Sequence, residues 1–279
     1  MLDRVIKYGL VMAVTGFFAA MWGLLLLRHF PASGRSTLRP AYAQLLKPDQ
    51  NERNEQWGVY FAGRRIGRSA VEITRDMGGQ MDVRSTTLIT IESVMRLLTG
   101  LSGDLDVSFE ASVSPLTGLH DFQLSSDRIG VRMLGTAGEG ALHITGHVGK
   151  EPIRTVLPYS PDVMLGETFS PLASLPKLSK SDLGRTWSVD MINPLTGGMQ
   201  TVTVRVAAMR EVELAGGKTR VFRLDFATGS SRCASWVQQD GELLIQGTPF
   251  GLTLRREGLP PSVANQLEAE QPGQLPTGP

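Results

Sequence analysis

The stretch Met81-Asp82-Val83-Arg84-Ser85-Thr86-Thr87-Leu88-Ile89-Thr90-Ile91-Glu92 decides the fold class. Successive side chains of an extended backbone point to opposite faces. Here Met81, Val83, Ser85, Thr87, Ile89 and Ile91 share one face, while Asp82, Arg84, Thr86, Thr90 and Glu92 point the other way. The alternation predicts a long strand with one wet face. It recurs at Leu105, Val107 and Phe109 between Asp104, Asp106, Ser108 and Glu110, then at Val202, Val204 and Val206, and at Phe222, Leu224 and Phe226 around Arg223 and Asp225. Gly78-Gly79, Gly138-Glu139-Gly140, Gly197-Gly198, Gly216-Gly217 and Asp240-Gly241 separate these runs as hairpin turns should. The chain therefore reads as mainly β, a curved antiparallel sheet or open β-barrel of roughly a dozen strands. Helix is expected only at Ser93 to Thr99 and within Ser170 to Leu183.

Outward from this core, Tyr8 to Leu27 (YGLVMAVTGFFAAMWGLLLL) carries no charge. At about 1.5 Å per residue it covers the roughly 30 Å hydrocarbon core, so one transmembrane helix is expected. A cleaved signal has a shorter apolar stretch with its small-x-small site close behind. Ala41-Tyr42-Ala43 has that form but sits far downstream, so the reading is a retained signal-anchor, and the lack of a following cysteine excludes a lipoprotein anchor. Arg4 and Lys7 precede the span while Arg28, Arg35 and Arg39 follow it, so charge alone does not set the orientation. The short basic start and the β-rich remainder favour export.

The organisation expected is a cytoplasmic start (1–7), the transmembrane helix (8–27), a polar tether (28–54), the antiparallel β domain (55–257) and a disordered Pro/Gln-rich tail (258–279). That places the protein in a bacterial inner membrane, single-pass, with its β domain in the periplasm.

The 279 residues hold 28 basic and 27 acidic side chains, and this balance gives no field to attract nucleic acid. Cys233 is the sole cysteine, which excludes an intrachain disulfide and cysteine-rich zinc sites.

Three segments carry a resemblance: Trp57-Gly58-Val59-Tyr60-Phe61-Ala62-Gly63-Arg64-Arg65-Ile66-Gly67; Asn193-Pro194-Leu195-Thr196-Gly197-Gly198 leading into Val202-Thr203-Val204; and Trp236 to Leu244 with Pro249 to Glu257. They resemble the opening hairpin, the proline-containing turn and the closing hairpin of the β domain that precedes transglutaminase-like domains in exported bacterial proteins. The resemblance implies a curved or barrel-like sheet similar to lipid- and lipoprotein-carrier folds. Past Glu257 no room is expected for a transglutaminase or protease domain.

The search for chemistry returns little. Cys233 lies in a strand-like run beside Arg232 and reads as a core residue rather than a nucleophile. His143 and His147 have zinc-helix spacing but fall on a strand, where an i, i+4 pair lies about 13 Å apart, too far for one ion. Asp104, Asp106 and Glu110 read as a solvated strand face. No phosphate loop, nucleophile elbow or metalloprotease motif occurs, so neither an enzyme nor a cofactor is expected.

The leading expectation is a non-catalytic binding module for a lipid, an apolar ligand or an envelope protein, with Met95, Leu97, Leu98, Leu101, Met133 and Leu134 lining its mouth. The alternative is a structural or scaffold subunit of an envelope complex, working with a separately encoded enzyme through its sheet edges or tail. A third is a hydrolase using the region of Asp104, Asp106 and His120.

Overall fold

The computed structural model describes residue 42 and residues 45–90, 104–165, 177–193, 198–229, 231–248 and 251–270. Fifteen strands join in one sheet: β1 (Glu52–Phe61), β2 (Arg64–Arg75), β3 (Met81–Thr90), β4 (Asp104–Ser114), β5 (Gly118–Ser126), β6 (Val131–Gly138), β7 (Ala141–Val148), β8 (Glu151–Pro158), β9 (Met164–Leu165), β10 (Thr186–Asn193), β11 (Gly198–Leu214), β12 (Gly217–Thr228), β13 (Ser231–Gln238), β14 (Leu243–Gly247) and β15 (Leu252–Arg256). Their spatial order is β8-β7-β6-β5-β4-β3-β2-β1-β15-β14-β13-β12-β11-β10-β9. Every pairing is antiparallel except the short β9–β10 contact. The chain thus begins in the middle of the sheet, meanders to one edge, crosses to the other and returns to pair its last strand with its first.

That crossing dictates curvature. Fifteen strands laid flat at about 4.8 Å spacing would separate β8 from β9 by about 67 Å. Residues 159–163, the link between them, span at most about 21 Å. The sheet must therefore roll until its two edges approach one another. Its concave face carries a continuous apolar layer with members from almost every strand, among them Trp57, Val71, Met81, Phe109, Phe122, Met133, Ile144, Trp187, Val204 and Phe222. The alternation read in β3 holds residue by residue: Met81, Val83, Ser85, Thr87 and Ile89 are buried. Gly135 leaves room for the Phe122 ring, which a Cβ there would meet at 2.1 Å.

The rolled sheet has two rims. The lower rim gathers the start of β1, the β2–β3, β4–β5, β6–β7, β11–β12 and β13–β14 turns and the crossing segment; the upper rim gathers the opposite strand ends. Residues ahead of β1 fill the lower end. Tyr42, Leu45 and Leu46 are buried in the core, and the Tyr42 hydroxyl donates to the Val163 carbonyl at 3.3 Å. Arg53 Nη1 donates to the Leu45 carbonyl at 3.1 Å, and the Arg75 N–H donates to the Asn51 carbonyl at 2.8 Å. The crossing segment is held in turn by the Tyr159 hydroxyl, which accepts from the Leu119 N–H. Gly118 permits that approach: its φ is +80°, and a Cβ there would stand 2.3 Å from the Tyr159 hydroxyl.

Two boundaries differ from those expected. The tether expected through residue 54 gives way to buried Leu45 and Leu46, an exposed turn over 47–51 and β1 from Glu52, because Leu45 and Leu46 find the open lower end of the roll. Within the tail expected to be disordered from 258, a helix forms, α1 (Pro261–Glu268), with Pro261 at its first turn, where the missing N–H costs nothing; residues 271–279 lie outside the described residues. Val263, Ala264 and Leu267 bury themselves on the convex face against Val212, Val221, Trp236, Leu244 and Ile245. The Trp236 indole N–H donates to the Leu267 carbonyl at 2.7 Å, Arg255 pairs with Glu268, and Arg223 Nη1 donates to the Glu270 carbonyl at 2.7 Å. The expected helix at Ser93 to Thr99 and span at Tyr8 to Leu27 lie outside the described residues, among which no helix is long and apolar enough to cross a membrane.

Strand β8 ends the sheet with a guarded edge. The Tyr159 N–H donates to the Gly140 carbonyl at 2.8 Å, in register with the Ala141–Pro158 pair. Antiparallel pairs alternate between bonded and non-bonded, so positions 151, 153, 155 and 157 bond inward to β7 and positions 152, 154, 156 and 158 turn outward. Two of those four are Pro152 and Pro158, which have no N–H to offer another strand.

Candidate binding site on the concave face

A row of polar groups crosses the otherwise apolar concave face. Trp57 on β1 pairs with Ser69 on β2, Ser69 with Thr87 on β3, and Thr87 with Val107 on β4. Ser126, one residue beyond the Ser108–Ser125 pair, continues the row towards Val131 on β6. All these side chains are buried. The Thr87 hydroxyl donates to Ser69 Oγ at 2.8 Å. Among the described residues, the Trp57 indole N–H and the Ser126 hydroxyl have no hydrogen-bond partner, nor does the indole N–H of Trp187 on the facing half of the roll.

Leaving a polar group buried and unpaired costs about 1–3 kcal/mol, and native interiors carry few such groups. Here three stand in one apolar interior. Above the row, Val59, Ile66 and Ile89 pack with Leu105 and Leu252 towards the upper rim. Chemically, the arrangement offers hydrocarbon-compatible walls crossed by indole donors and by hydroxyls able to donate or accept.

Of the residues expected to line a mouth, Met133 and Leu134 are among the described residues. Met95, Leu97, Leu98 and Leu101 lie outside the described residues. Met133 and Leu134 are neighbours on β6 and so point to opposite faces: Met133 is fully buried in the core, and Leu134 is 47% exposed on the convex side. The row itself went unread except for Thr87, a small hydroxyl set on the apolar face of β3.

The remaining candidates are spread over outer surfaces. His143 and His147 are exposed on β7, with His147 Nδ1 lying 3.0 Å from the Gly130 carbonyl oxygen and 3.2 Å from that of Gly149. His120 Nε2 lies 3.0 Å from the Thr117 hydroxyl. Asp104, Asp106 and Glu110 are exposed on β4, with Glu110 opposite Arg84. No group of three or more metal-ligating side chains gathers among the described residues. Cys233 sits opposite Phe226, and burial together with the nearby Asp225 carboxylate pushes its thiol up to about 12, far from a reactive thiolate.

The lower end is held by charge. Glu55 is buried between Arg53, at 2.8 Å, and Arg256, at 3.3 Å. Arg256 also reaches Glu242 at 2.8 Å, and Glu242 in turn takes Lys47 at 3.0 Å. Burial alone would raise the Glu242 carboxyl, but the hydrogen bonds from Arg256 and Lys47 outweigh it and hold the group at about 2. These pairs bind the segment ahead of β1 to the β13–β14 turn.

Set against protein-family models, curated proteins and solved structures, the chain matches none of them.

Proposed function

We propose that the chain is a membrane-anchored, extracytoplasmic and non-catalytic binding module whose rolled sheet receives the apolar part of a lipid-like molecule on its concave face. In this reading Tyr8 to Leu27 is the anchor in a bacterial inner membrane, the sheet stands in the periplasm, and the likeness to the β domain that precedes transglutaminase-like domains reflects a common carrier-type fold. The observation that carries it is the transverse row: unpaired Trp57 and Ser126 groups beside the Ser69–Thr87 pair, in a face otherwise built of aliphatic and aromatic side chains. Indole donors and hydroxyls suit an ester, a carboxyl or an amide linkage, and the apolar layer suits an acyl chain.

The test is native mass spectrometry of the full-length chain released from detergent, followed by solvent extraction and identification of what it retained. A stoichiometric amphiphile is expected, lost in the double variant Ser69→Ala with Thr87→Val. Those two changes replace both partners of the Thr87–Ser69 hydrogen bond by apolar groups of similar shape, and the thermal midpoint of the variant, measured alongside, shows whether the fold is retained. A chain that carries nothing, and gains nothing from added phospholipid or fatty acid, defeats the reading.

A further inference from the structure

We infer that the lower rim of the rolled sheet seats on the lipid surface, with the tips of the β2–β3 and β4–β5 hairpins dipping into its headgroup zone; this rests on the anchor reading above. Met77 at the first tip is fully exposed, and Leu116 at the second is 88% exposed. The two turns are neighbours along the rim, separated by two strand spacings or about 10 Å. Leu183, at the foot of β10, adds a third partly exposed apolar side chain on the same rim. Large apolar side chains held out at turn tips bury nothing in the chain's own core and are free to enter an outside surface.

The identity of that surface follows from where the chain leaves the sheet. The segment ahead of β1 is pinned at this rim: Arg75 Nη1, next to the Met77 turn, donates to the Pro48 carbonyl at 3.4 Å, and Tyr42 is tied to the crossing segment. Only residues 28–41 separate Tyr42 from the apolar run, and they reach at most about 50 Å. They contain Arg28, His29, Arg35 and Arg39 and no acidic residue, a composition that suits an anionic headgroup layer. A bilayer therefore lies within reach of this rim and matches both its apolar tips and the basic approach to it. Among the described residues, the exposed large apolar side chains at the upper rim are Phe61 and Ile129, less exposed than the two hairpin tips and a full strand's length further away.

The experiment uses the full chain reconstituted in phosphatidylethanolamine–phosphatidylglycerol vesicles. Met77→Cys, Leu116→Cys and the upper-rim control Ile129→Cys are each made in a Cys233→Ala background and labelled with nitrobenzoxadiazole. Quenching by headgroup and shallow acyl nitroxide lipids is expected to be at least two-fold stronger at 77 and 116 than at 129. Equal quenching at all three positions, in a chain that resists carbonate extraction, overturns the rim assignment and leaves the anchor intact. Extraction by carbonate overturns the anchor and the rim with it. Energy transfer between labelled copies at 77 without lipid quenching assigns the tips to a second copy of the chain and overturns the lipid assignment.

Discussion

The indole N–H of Trp236 donates to the carbonyl of Leu267 at 2.7 Å, joining the middle of strand β13 to the last turn of the helix that follows the sheet. That bond is buried, and it lies among Val221, Ile245, Val263 and Ala264. The helix is a structural part of the domain. Trp236→Phe, which keeps the bulk and removes the donor, is expected to cost about 1–2 kcal/mol in urea unfolding. Leu267→Ala should cost about 2–5 kcal/mol. An unfolding midpoint unmoved by Leu267→Ala would mean that the helix does not bury the convex face.

The lower-end charge network gives stability a defined acid limb. Glu242 titrates in the folded chain at about 2, below its ordinary value of 4.5. A depressed folded value contributes stability that is fully present above the unfolded value and is lost as the pH falls through the folded one. The thermal midpoints of the parent chain and Glu242→Gln should therefore differ at neutral pH and converge as the pH drops from about 4.5 towards 2. A gap that stays constant over that interval would dissociate the carboxylate from the latch.

Cys233 should resist alkylation in the folded state. With its thiol pushed up to about 12, its thiolate fraction at mildly alkaline pH falls at least about a hundredfold below that of a free cysteine. Iodoacetamide followed by intact-mass measurement should show labelling only after denaturant is added. Rapid native labelling would contradict the raised thiol of this half-buried side chain.

The proline guard on β8 is open to direct test. Replacing Pro152 and Pro158 together by Thr restores two outward N–H groups and a good strand former on the free edge. Light scattering behind a sizing column should then report larger species than for the parent chain at equal concentration. An unchanged mass would show that the edge is already covered by other means.

Much of the sheet could be read from one strand at a time. The alternation survives in β3 and over residues 104–110 of β4, while in β12 Val221 and Phe222 are both buried because the final helix covers the convex face there; the Gly78-Gly79, Gly216-Gly217 and Asp240-Gly241 signals all fall at turns. These are local properties: a pleat and a positive φ depend on a residue and its immediate neighbours. The Trp57–Ser69–Thr87 row was hidden because it exists only once three strands are set in register, and register across strands is not local information. The final helix was hidden for a related reason. Pro260-Pro261 breaks one element and begins another equally well, and the short stripe Val263, Ala264, Leu267 gains meaning only opposite Trp236 and Ile245. Met133 and Leu134 were grouped as one apolar pair, although the period of two that identified their strand already sends them to opposite sides.

The pairing of Trp57 with Arg256 joins the first strand of the sheet to the last. Such a seam cannot form while the chain is still being made, and its closure has to overcome the loop entropy of nearly the whole domain. Until then β1 is satisfied on one side only and exposes a bare, sticky flank. Slow acquisition of structure, and dependence on whatever shields a nascent polypeptide, follow from the choice of neighbours alone.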